Sequence, residues 1–118
     1  TIDFKTNTLT SDEKQFTRLQ TILKENPKLH SGTPTLGYLI AILKEIEALN
    51  LAKIPNRKIL VLLAGKEQIT DNVAVMQSIY RYAFINTATI NKAQHEILIE
   101  KEEIRQEALS LIQEFLKS

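Results

Sequence analysis

Between Lys58 and Gly65 the chain reads Ile59-Leu60-Val61-Leu62-Leu63-Ala64, six residues without a polar side chain. This run limits the possible folds more than any other segment. It is too short for a buried helix and does not alternate, so it predicts a strand covered on both faces, as in a parallel sheet. Gly65 closes it, and an acid-bearing loop follows, Lys66-Glu67-Gln68-Ile69-Thr70-Asp71. Val73 to about Tyr82 then reads as a helix over the sheet, and Thr87-Ala88-Thr89-Ile90-Asn91 as a second strand. Ile104, Ala108, Leu109, Leu111, Ile112, Phe115 and Leu116 recur at helical spacing and predict an amphipathic closing helix. The second half therefore reads β-α-β-α. The two strands are expected to be parallel neighbours joined by a right-handed crossover. Two strands leave unpaired edges, so this order suggests part of a larger sheet.

The first half is helical. Thr10-Ser11-Asp12-Glu13 has the pattern of a capping box, with Thr10 as N-cap. Phe16, Leu19, Ile22 and Leu23 mark the buried side of the helix that follows, and Asn26-Pro27 stops it. Ser31-Gly32-Thr33-Pro34 launches a second helix, with Thr33 as cap and Pro34 in the first turn. Leu36, Leu39, Ile40, Leu43 and Ile46 are expected to form its buried stripe. Ile54-Pro55-Asn56-Arg57 reads as a connecting loop.

The chain's 118 residues suit one small domain. A net charge of +1 and the lack of Trp argue against a nucleic-acid partner, which calls for a concentrated basic face or a stacking platform. Without Cys there is no disulfide framework or thiolate metal site. The two histidines, His30 and His95, are at no ligand spacing, so no metal and no cofactor is expected. His30 reads as a surface turn residue. Lys14 and Arg18 share a helix face that could meet a phospholipid headgroup, although a solvated face is the simpler reading. No apolar run approaches the roughly 20 residues of a membrane span.

The chemistry-bearing residues lie after the two strands. His95 follows the second on a short polar loop, and Glu67 and Asp71 follow the first. A carboxylate that orients a histidine, which in turn takes a proton from a serine, is the logic of a hydrolytic triad. Asp71 also suits the N-cap of the next helix, and Glu100-Lys101-Glu102-Glu103 a negative first turn of the last. The serines are Ser11, Ser31, Ser78, Ser110 and Ser118, and none stands in a G-x-S-x-G elbow.

The wording of these segments resembles the bacterial lysophospholipase and monoacylglycerol-lipase-like branch of the α/β-hydrolases. The resemblance is carried by His95-Glu96-Ile97-Leu98-Ile99-Glu100-Lys101-Glu102 and Ala64-Gly65-Lys66-Glu67, with Asn7-Thr8-Leu9-Thr10-Ser11, Glu25-Asn26-Pro27 and Gly32-Thr33-Pro34-Thr35 further upstream. The chain departs from the family at Thr33 and at Asn91-Lys92, where glycines are usual. The resemblance implies an α/β chain that is the C-terminal portion of an α/β-hydrolase fold, incomplete on its own. Residues 1–53 would be a helical lid and 54–118 the β-α-β-α part of the core. It implies a serine hydrolase cleaving carboxylic esters of lysophospholipids or monoacylglycerols. His95 and Glu67 would serve as triad histidine and acid, with Asp71 as the alternative acid. The nucleophile would come from a missing N-terminal part of the same protein, and this chain alone is expected to be inactive. The expected location is cytoplasmic or peripheral at the inner membrane. The competing reading is a non-catalytic, mostly helical interaction module.

Overall fold

The structure, a computed structural model, describes residues 3–29, 31–51 and 55–118. His30 and Ile54 lie outside the described residues. The elements run α1 (Glu13–Glu25), α2 (Leu36–Leu51), β1 (Ile59–Ala64), α3 (Asn72–Ile79), β2 (Ile85–Ile90) and α4 (Glu102–Lys117). Short 3-10 turns lie at Phe4–Thr6, Pro27–Leu29 and Ile97–Ile99. Among the described residues no helix is long and apolar enough to cross a membrane.

β1 and β2 pair in parallel, from Ile59 opposite Ile85 to Ala64 opposite Ile90. Mixed helix and strand around a small parallel sheet is the α/β character expected. The second strand starts and stops slightly earlier than Thr87–Asn91, and α3 ends at Ile79 rather than near Tyr82. α4 lays its apolar side on the sheet. Ala64, Ile90, Ala93, Ile104 and Ala108 form the buried cluster, with Leu62, Ile97 and Leu111 packed around it. The Lys58 ammonium donates to the Ser118 carbonyl at 2.7 Å, which ties the start of β1 to the end of α4.

The helix starts in the first half differ from expectation. Asp12, not Thr10, caps α1, its carboxylate accepting from the Gln15 N–H at 3.0 Å. Thr10 is instead fully buried and donates its hydroxyl to the Ile99 carbonyl at 2.8 Å. Thr35, not Thr33, caps α2, because its hydroxyl accepts from the Tyr38 N–H and its carbonyl from the Leu39 N–H. Pro34 therefore lies before the helix. In α1 only Phe16 is buried, with its ring 5.5 Å from that of Phe4.

The expected buried stripe of α2 is uncovered. Leu36, Leu39, Ile40, Leu43 and Ile46 are all exposed, and so are Tyr38, Ile42 and Leu49 on other sides of the helix. The apolar residues encircle this helix, and no single contact face could cover them.

Candidate acid–histidine site

A parallel pair sends both of its following loops off the same end of the sheet. The register places Ala64 beside Ile90. From there the two loops run against each other. The Gly65 N–H donates to the Ile90 carbonyl and the Lys66 N–H to the Ala93 carbonyl, both at 2.9 Å. Gly65 is needed for this closeness, because a Cβ there would sit 2.5 Å from the Asn91 Cα and carbonyl oxygen. Ala93, fully buried, anchors the second loop.

Glu67 follows within two residues. Its Oε1 accepts from the backbone N–H groups of Gln68, Ile69 and Thr70, at 2.9, 2.7 and 3.2 Å. Its Oε2 is 2.7 Å from Nδ1 of His95. The Glu67 side chain is 7% exposed and that of His95 28%. Burial on its own would raise the Glu67 pKa. The hydrogen bonds from Ile69, His95 and Thr70 outweigh it and hold the group at about 2, against an ordinary 4.5. Glu67 is therefore a carboxylate at neutral pH and can only accept. Nδ1 must carry the proton, so Nε2 is the basic nitrogen of a neutral His95 ring.

Asp71 sits elsewhere in the same loop and does a different job. Its carboxylate accepts from the N–H groups of Val73 and Ala74, at 2.8 and 3.2 Å, and so caps α3. Asn72 beside it donates its side-chain amide to the Ala64 carbonyl at 2.8 Å, closing the end of β1.

The residue that sequence reasoning missed is Glu100. It does not belong to the first turn of α4, whose acids are Glu102 and Glu103. Glu100 is fully buried. It accepts from the Gln94 N–H at 2.8 Å, the Ser11 N–H at 3.1 Å, the Ser11 hydroxyl at 2.6 Å and the Lys101 N–H at 3.2 Å. Burial would raise its pKa, but the Ser11 hydroxyl and the three backbone donors reverse the sign and keep it below 4.5. A signal was present in the sequence. Glu100 stands four residues before Ile104 and eight before Ala108, on the buried stripe of α4 continued backwards.

Three of the serines have assigned hydrogen-bond partners. Ser78 donates to the Ala74 carbonyl within α3, Ser118 to the Phe115 carbonyl, and Ser11 to Glu100. Among the described residues no group of three or more His, Cys, Asp or Glu could hold a metal ion. Lys14 and Arg18 are exposed.

No protein-family profile matches the chain, and no solved structure matches it. Among curated proteins it is similar to the probable lysophospholipase L2 of Haemophilus influenzae, with 30% identity over 112 residues. That alignment takes in 93% of this chain and 36% of the relative, so the chain spans about a third of the length of the lysophospholipase it is similar to.

Proposed function

We propose that this chain is the C-terminal part of a serine hydrolase that cleaves carboxylic esters of lysophospholipids or monoacylglycerols. The observation that carries the reading is the 2.7 Å contact between the ionised Glu67 and Nδ1 of His95, both on loops leaving one end of a parallel sheet. The similarity to a lysophospholipase supports the substrate class.

In this reading Glu67 fixes the tautomer and angle of the imidazole and stabilises its protonated form. Nε2 takes the proton from a serine hydroxyl supplied by residues outside this chain. The serine oxygen attacks the ester carbonyl carbon, and the imidazolium then protonates the departing alcohol. Water, deprotonated by the same nitrogen, releases the fatty acid and restores the serine. Residues 1–53 form the lid, with apolar α2 facing the acyl chain, and residues 54–118 belong to the core. The proposed place of action is the cytoplasm or the inner membrane surface. A second reading, a non-catalytic interaction module, draws on the uncovered apolar surface of α2.

The test compares Glu67→Gln with Asp71→Ala in the complete protein that carries this chain, using a lysophospholipid as substrate. Glu67→Gln is expected to lower kcat by roughly 10³–10⁴-fold, as loss of a triad acid does. Asp71→Ala is expected to cost about 1 kcal/mol of stability and little turnover. The opposite pattern would exchange the two roles. A complete protein that hydrolyses neither lysophospholipid nor monoacylglycerol would end the hydrolase reading and favour the interaction module. The chain by itself is expected to leave short-chain nitrophenyl esters intact.

A further inference from the structure

The loop bearing His95 is also held by residues 8–11, near the start of the chain. The His95 N–H donates to the Thr8 carbonyl at 3.4 Å and the Glu96 N–H to the Leu9 carbonyl at 2.8 Å. Thr10 then reaches the Ile99 carbonyl, and Ser11 reaches Glu100. The Glu100 carboxylate joins the two segments of this contact, since it binds Ser11 on one and the backbone immediately before His95 on the other.

We infer that Glu100 is a positioning residue for His95, a buried anion that fixes the histidine loop through the Gln94 N–H and locks it to Ser11. The inference rests on the hydrolase reading for its effect on turnover, but not for its effect on the ring.

A buried carboxylate is expensive unless its lone pairs are filled, and here four donors fill them. The two oxygens divide the work. Oε1 takes the Gln94 N–H, Oε2 takes the Ser11 hydroxyl and the Lys101 N–H, and the Ser11 N–H lies 3.1 Å from both. Only a group that accepts at both oxygens suits this site, so the amide of Gln cannot replace it: its NH₂ would face donors. The Gln94 N–H is one residue from His95, and a shift there moves the imidazole directly. Glu67 sets the ring's tautomer, while Glu100 sets where the ring stands. Misplacing a reacting group by about 1 Å can cost on the order of 100-fold in rate.

The experiment uses the complete protein with nitrogen-labelled histidine and compares wild type, Glu100→Gln and Ser11→Ala. In wild type the His95 Nδ1 proton is expected as a protected, strongly downfield resonance. In Glu100→Gln that resonance should broaden or vanish, and kcat should fall about 10–100-fold with KM changed less than about threefold. Ser11→Ala should move both readouts in the same direction by a smaller amount, and it decides the matter if Glu100→Gln does not fold. A folded variant with an unchanged resonance and unchanged kcat overturns the inference. So does a fall in kcat with the resonance intact, which would mark a general structural role. If wild type hydrolyses no ester, the hydrolase reading falls, and the His95 resonance alone decides the role of Glu100.

Discussion

Helices α2 and α4 are both 16 residues long and both rich in Leu and Ile. In α4 the polar residues hold one side, and Ile104 and Ala108 go down into the sheet. In α2 the charged residues Lys44, Glu45 and Glu47 fall together in the second half, and the first half, Leu36 to Leu43, has none. α4 needs one covered face, which two strands can provide. α2 needs cover on several sides, and Leu36, Leu43 and Leu49 remain about two-thirds exposed or more. The contrast shows that apolar content says how much surface seeks cover, and its arrangement says from how many directions.

The comparison can be broken most severely at the sheet end. Gly65→Ala should push a methyl group into the Asn91 backbone, which cannot rotate away as a side chain could. The expected cost is about 3 kcal/mol or more, with loss of a cooperative melting transition and of the Glu67–His95 contact. A variant that melts as wild type does would mean the two loops are looser than their distances indicate. Truncation within the two helices is a smaller and sharper test. Ile104→Ala should cost about 2–4 kcal/mol, whereas Leu43→Ala should fall within about 0.5 kcal/mol in denaturant unfolding of this chain. An equal cost at both positions would show that α2 is covered in solution, and the contrast would collapse.

The last expected effect is in acid. The Glu67 pKa is depressed on folding, from 4.5 to about 2. Its contribution to stability is therefore complete above about pH 4.5 and is lost as pH falls toward 2. Glu100, also depressed, acts in the same direction. Glu67→Gln should flatten the acid limb of a stability-against-pH curve while leaving α2 variants unaffected. An unchanged acid limb would show that Glu67 carries none of it.

The β-α-β-α order, the parallel pairing and the amphipathic closing helix were legible because each rests on a local pattern of apolar residues. That an acid of the loop after β1 would lie near His95 was legible from the places of the two loops after neighbouring strands, but the choice of Glu67 over Asp71 came from the resemblance. Catalytic roles for them come from the resemblance and from chemistry, and they are proposed as such. The caps of α1 and α2 were misplaced because several adjacent Ser, Thr and Asp residues can each cap, and tertiary contacts choose among them. Thr10 and Ser11 were taken from capping by partners 89 residues away, which no local pattern announces. The burial of α2 was misjudged because a helical stripe predicts a face, not the presence of something to cover it.

That separation of 89 residues also has a kinetic side. The sheet closes between residues 26 apart, such as Ile59 and Ile85, whereas Ser11 must find Glu100 across more than three times that length. Loop-closure entropy makes the longer search about 1 kcal/mol less favourable before any contact forms. Contacts of high sequence separation form slowly in general. The strands and α4 are thus expected to be in place first, with the histidine loop set only when the opening segment arrives. The chain would pass through a state that is folded in its core while the His95 loop is not yet set.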